Sequence, residues 1–303
     1  MALRITEFFG YHPYDRSESA QMARASHHCP FSGLQCTKLL SVGPSGACTL
    51  MSASGEEVIC CPQRLYGQDH LVLKQIASEA FGPDTRLVSA GTWQGLRGDG
   101  RDVAVFGKGW GKELRLPRRG NKGSYYVDWI LALLDDRFGP AAFVAVEVQS
   151  IDTTGNYQDE RAAYLNGAEF DRFSVAGFNW ENVSKRILPQ LIYKGNVLQQ
   201  EPLCSKGLFF VSPSSVYRRV TDRLGGELTQ YPQQLGSLTF RWYGLSPGCE
   251  AGSQRELRLD GELVTLVHEV AQRFNLPPNL PERRVYENAI RQELASARQV
   301  TGL

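Results

Sequence analysis

One eight-residue run constrains this chain more than any other. Ala142-Phe143-Val144-Ala145-Val146-Glu147-Val148-Gln149 is rich in β-formers, and every position except Glu147 and Gln149 is apolar. Such a strand has to be covered on both faces, which places it inside a sheet with layers above and below. Glu147 and Gln149 are two apart and share one face, pointing away from Val146 and Val148. A carboxylate in those surroundings is costly unless it is paired, protonated or bound to a metal. The preceding strand, Tyr125-Tyr126-Val127-Asp128-Trp129-Ile130-Leu131, carries Asp128 in the same way. Either acid alone reads as a structural salt-bridge partner at a strand end. Together, 19 residues apart on strands expected to be neighbours, they can converge on one divalent cation.

The rest of the chain supplies a setting for that strand. Short β-like runs at 86–90, 102–106, 113–116, 125–134 and 142–149 are separated by Gly-rich turns and predict a meander of antiparallel strands. Asp69 reads as the N-cap of a helix with Val72, Leu73, Ile76 and Ala80 on its apolar face, stopped by Gly82-Pro83. Further helices are expected at 158–166, 182–199 (kinked at Pro189), 214–224, 261–274 and 282–298, with strands at 207–212 and 237–243. Strands and helices mixed in this order predict an α/β (α+β) fold with a central mixed sheet flanked by helices. With 33 Lys and Arg against 32 Asp and Glu, the net charge of +1 excludes a non-specific nucleic-acid packager. No apolar run approaches membrane-spanning length, and the first residues lack a signal-peptide pattern, so a soluble intracellular protein is expected.

Five of the seven cysteines, Cys29, Cys36, Cys48, Cys60 and Cys61, fall within 33 residues. An odd total without an export signal argues against disulfides, and the clustering argues for metal. The first 68 residues are also poor in periodic apolar runs, which predicts a small metal-held module at 1–68 ahead of a catalytic domain at 69–303. Four thiolates around a tetrahedral ion make a closed structural site. Zinc and iron both accept such a set. His27 and His28 read as solvated neighbours.

Asp128 followed by Glu147-Val148-Gln149 resembles the PD-(D/E)xK nuclease signature, with glutamine where that signature has lysine. Gln149 carries no charge and takes no proton, but its amide can orient water or a phosphate oxygen. More widely, the chain resembles the NotI-type restriction endonucleases. The resemblance runs through Ile5-Thr6-Glu7-Phe8-Phe9-Gly10, Cys29-Pro30-Phe31, Gly46-Ala47-Cys48 and Cys61-Pro62-Gln63-Arg64. It continues through Gly111-Lys112-Glu113-Leu114, Val127-Asp128-Trp129, Glu147-Val148-Gln149 and Asn182-Val183-Ser184-Lys185-Arg186. The chain length is similar to that of the smaller, EagI-like branch.

The resemblance implies a homodimeric type II enzyme on a PD-(D/E)xK core, cutting a GC-rich palindrome with a CGGCCG-like core. It also implies that Glu-x-Gln is the family's own pattern and that Glu113 is a further active-site acid. The four-cysteine module in front would bind iron through Cys29, Cys36, Cys48 and Cys61, leaving Cys60 spare. Asp128 and Glu147 would then hold magnesium, with Gln149 positioning water or phosphate. A DNA-facing module makes Lys38 and Arg64 candidate contacts, and Lys185 and Arg186 join them. Between Arg101 and Tyr126 seven basic residues face two acidic ones, so Arg118, Arg119 and Lys122 are candidate phosphate contacts, or else a solvated loop. The partners expected are double-stranded DNA, a second copy of the chain and a cognate DNA methyltransferase, in a bacterial cytoplasm. Two alternatives are a PD-(D/E)xK repair nuclease and a non-catalytic metal-module DNA binder.

Overall fold

Along the run 140–148 the side chains alternate between two separate cores, as a strand covered on both faces requires. The computed structural model describes residues 2–91, 96–114, 126–276 and 281–301. Its N-terminal part holds β1 (Leu3–Phe8), α1 (Glu18–Ser26), β6 (Ala47–Ser52) and β7 (Glu57–Ile59). Four two-residue strands lie between α1 and β6: β2 (His28–Cys29), β3 (Leu34–Gln35), β4 (Leu39–Leu40) and β5 (Gly43–Pro44). Then come α2 (Gly67–Phe81), β8 (Arg86–Ser89), β9 (Asp102–Gly107), β10 (Trp129–Leu134), β11 (Pro140–Val148), β12 (Thr153–Asn156), α3 (Gln158–Leu165) and β13 (Val175–Phe178). The chain continues with α4 (Leu188–Leu198), β14 (Leu208–Pro213), α5 (Ser214–Arg223), β15 (Ser237–Leu245), β16 (Leu257–Leu266), α6 (Val267–Phe274) and α7 (Val285–Thr301).

The expected mixed sheet is present as seven strands in the order β16-β15-β14-β11-β10-β9-β8. β9, β10 and β11 form the antiparallel meander, while β14 runs parallel to both β11 and β15. On one face Val144, Val146 and Val148 join Val103, Val105 and Phe209 against Val72, Leu73 and Ile76 of α2. On the other, Ala145, Phe210 and Phe240 pack against α4, α5 and α6. No helix among the described residues is long and apolar enough to cross a membrane.

Several expectations are corrected. Residues 257–266 are strand β16, paired along its length with β15, and only Val267–Phe274 is helical. Glu113 and Leu114 lie outside any strand, and residues 115–125 fall outside the described residues. Asp69 does not cap α2: Gln68, Asp69 and His70 form a left-handed turn with φ of 57°, 53° and 57°, after which the right-handed helix runs. The bend in 182–199 is a π-helical turn, Val183–Ile187, ahead of Pro189. Pro189 itself sits in the first turn of α4, where its missing N–H costs nothing. The N-terminal region is not poor in core. Leu3, Ile5 and Phe8 of β1 and Leu50 of β6 share one core with Ala145 and the helices over it.

Candidate active site and cysteine cluster

The pairing of β10 with β11 sets Trp129 opposite Val146, which brings Asp128 opposite Glu147. Trp129, Val146 and Val148 face α2, so Asp128, Glu147 and Gln149 belong to the α4 side of the sheet. The backbone N–H of Val148 donates to Asp128 Oδ2 at 2.8 Å. Glu147 is 2 % exposed. Its Oε1 accepts from Lys194 Nζ at 2.5 Å and from Gln149 Nε2 at 3.1 Å. Its Oε2 is buried and accepts from no group among the described residues. Burial, then repulsion by Glu147, pushes the Asp128 carboxyl up to about 7, and the exposed Glu113 adds to the repulsion.

Lys194 is the residue that sequence reasoning misses. It is buried on α4, in line with Leu188, Leu191 and Leu198 on the helix's inward stripe. Next to it, Gly195 lets α4 approach α6 closely: a Cβ there would lie 2.4 Å from Val267 Cγ2. A cation on the buried stripe of a helix is the signal that points to a carboxylate opposite.

Among the described residues no three His, Cys, Asp or Glu side chains gather into a metal cage. The acidic pair nevertheless fits a divalent cation that keeps part of its water shell. It offers two hard oxygen donors of like charge and one buried oxygen, Glu147 Oε2, without a partner. Magnesium is commonly held in this way, by one or two carboxylates plus water and substrate phosphate.

Asp128 and Gln149 open into a cleft of 380 Å³, whose other walls include Lys38, Cys61, Lys108 and Arg186. Lys38 Nζ donates to the Cys60 carbonyl at 3.2 Å. Burial works against its charge, but Cys60, Tyr157 and Cys61 outweigh that and raise its pKa. Arg186 pairs with Asp152 at 3.1 Å, and Lys185 pairs with Glu181, both on the exposed surface. Arg118, Arg119 and Lys122 lie outside the described residues.

Arg64 is not placed for a DNA contact. It is 1 % exposed, and its guanidinium forks onto Glu7 of β1 at 3.0 and 3.2 Å. The same group stacks over Phe31 at 4.5 Å and donates to the Arg255 carbonyl. Arg255 in turn reaches Glu7 at 3.3 Å and Glu57 at 2.9 Å. The arginine closes an ion network between β1 and the residues just ahead of β16.

Four of the five clustered cysteines, Cys29, Cys48, Cys60 and Cys61, lie near one another. Cys29 and Cys48 pack around Phe31, and Cys48 interacts electrostatically with Cys61, Cys29 and Cys60. Burial above all raises the Cys48 and Cys60 thiols, and raises Cys61 to about 12. Cys60 Sγ faces the Cys48 and Ala47 carbonyls at 3.5 and 3.6 Å and lies in the main core. Cys36 is half-buried, with its Sγ 3.7 Å from the Lys38 carbonyl. Thiolates are a donor type that zinc and iron both accept, but among the described residues these side chains do not gather into a formed cage.

The family model described as restriction endonuclease NotI matches residues 16–203. No curated protein matches the chain. The match spans all five clustered cysteines, Glu113, Asp128, Glu147, Gln149 and Lys194. With more than half of its length inside that match, the chain belongs to the NotI restriction endonuclease family and is a type II, site-specific deoxyribonuclease.

Proposed function

We propose that this enzyme is a magnesium-dependent homodimer of the smaller, EagI-like branch, cutting both strands of a GC-rich palindrome with a CGGCCG-like core. The observation that carries the reading is the placement of Asp128 opposite Glu147, at the ends of two central strands, with Glu147 Oε2 free of partners among the described residues. The succession of α2, the β9–β10–β11 meander, α4 and β14 supports a PD-(D/E)xK core.

Asp128 and Glu147 would hold the cation. Bound magnesium supplies polarisation of the scissile phosphate and a lowered pKa for coordinated water. Gln149, half-buried at the mouth of the cleft, orients water or a phosphate oxygen through its amide, and Glu113 adds a carboxylate at longer range. Lys38, Lys108 and Arg186 line the same cleft and suit the DNA backbone. Lys185, on the exposed surface next to Arg186, is a further candidate contact, and the basic residues Arg118, Arg119 and Lys122 are candidates by sequence alone. Two copies related by a twofold axis each take half of a palindrome. Cys29, Cys36, Cys48 and Cys61 bind iron, or zinc, as a structural centre beside the DNA. A cognate methyltransferase protects the host genome at the same sequence, in a bacterial cytoplasm.

The test is digestion of a GC-rich plasmid by the purified protein with magnesium, followed by sequencing of the ends. Ends that all map to one palindrome and vanish with EDTA are the expected result. Cutting confined to mismatched or branched DNA would replace this reading with a repair nuclease.

A further inference from the structure

Glu147 presents its two oxygens unequally. Among the described residues both donors that reach it, Lys194 Nζ and Gln149 Nε2, converge on Oε1, and Oε2 is left buried and unpartnered. We propose that Lys194 is a positioning residue for the metal centre: it pins Oε1 so that Oε2 stays free as the oxygen that binds the cation. This deepens the proposed function and rests on its reading of Asp128 and Glu147 as metal ligands.

Both ends of the contact stand on rigid elements. Glu147 belongs to β11, a strand paired on each side, so its Cα has little freedom. Lys194 belongs to α4, which the absence of a side chain at Gly195 allows to sit tightly on Val267. A glutamate left to itself would sample several rotamers, and either oxygen could turn toward a neighbouring donor. Fixing one oxygen removes that freedom and orients the other. In the Glu-x-Lys arrangement a cation stands two positions along the strand. Here that position is the neutral Gln149, and the cation comes from the helix above it.

The identity of the cation matters. An ammonium is a compact point charge that can hold a single oxygen. A guanidinium prefers to fork across both oxygens of a carboxylate, and at position 194 it would occupy Oε2. A role limited to charge compensation would be served by either group. A positioning role would not.

Terbium is the probe, a hard oxygen-seeking ion whose emission is excited through neighbouring tryptophan, here Trp129 beside Asp128. The full chain is titrated without DNA, and every variant is first melted in EDTA. Saturable emission that magnesium displaces and Asp128→Asn removes establishes the site. Emission indifferent to Asp128→Asn would instead overturn the metal reading itself. With the site established, Lys194→Met and Lys194→Arg are each expected to weaken terbium binding by roughly 10- to 100-fold. Lys194→Arg should do so while keeping the wild-type melting temperature. Wild-type affinity in Lys194→Arg would reduce the lysine to a counter-ion, and tighter binding in Lys194→Met would show that it competes with the cation. Unfolding of both variants in EDTA would mean that Lys194 serves the fold. Each of these three results overturns the proposal.

Discussion

Asp128 and Glu147 carry the same charge but stand in different company. Glu147 has an ammonium and an amide on one oxygen, whereas Asp128 has one backbone N–H and the repulsion of its neighbour. Asp128→Asn and Glu147→Gln should each lower cleavage by orders of magnitude while DNA binding persists, measured by digestion and gel shift on the same duplex. Their effects on folding should diverge. Asp128→Asn relieves a repulsion and leaves the melting temperature unchanged or higher. Glu147→Gln strands the buried Lys194 ammonium and should cost about 3–5 kcal/mol. Near-normal cutting by either variant would remove that residue from the active site. The same reasoning separates two adjacent thiols. Both border the cleft, but Cys60 Sγ is turned to two backbone carbonyls and joins the main core, whereas Cys61 is not part of that core. Cys61→Ser should reduce bound metal in elemental analysis, and Cys60→Ser should leave its stoichiometry intact. The reverse pattern would exchange their roles.

At the scale of the element, α4 delivers Lys194, and Gly195 sets how near α4 can come. Alanine is intrinsically better in a helix than glycine by about 1 kcal/mol. Its Cβ would nevertheless meet Val267, so Gly195→Ala should destabilise the protein by about 1–3 kcal/mol in denaturant unfolding. Stabilisation would mean that α6 yields freely. Elements also explain what was legible in the sequence. Asp128 and Glu147 stand out because each interrupts an apolar β run, and period-two alternation then assigns their face. Lys194 is as deeply buried, but a lysine on a helix ordinarily reaches its charge out to water along a flexible stem. Only the carboxylate opposite it, 47 positions away, reveals its burial. The segment 261–274 fails for another reason. Leu263, Val264, Leu266 and Val267 suit either a helical or a strand period, and pairing with β15, which the local sequence does not contain, decides the outcome. Arg64 is legible as a cation beside the cysteines, yet nothing nearby announces Glu7 and Arg255 as its partners.

Across the whole molecule, the cysteine region and Asp128 with Gln149 border one cleft, with Lys108 and Arg186 exposed at its walls. If each touches a phosphate, Lys108→Ala and Arg186→Ala should each flatten the slope of log affinity against log salt by about 0.9. Slopes equal to the parent's would place DNA elsewhere. The ion network at Arg64 has a different reach. Glu7, Glu57, Arg64 and Arg255 tie the first strands to a residue just ahead of β16, so the N-terminal region is not a cassette. Arg255→Ala, which takes one of two cations from buried Glu7 and the only arginine partner from Glu57 among the described residues, should lower the melting temperature although it lies far from the first strands in sequence. An unchanged melting temperature would show that the N-terminal strands hold without this tie. The first strands and the approach to β16 therefore constrain each other, and a change at Glu7, Arg64 or Arg255 is felt at the other two.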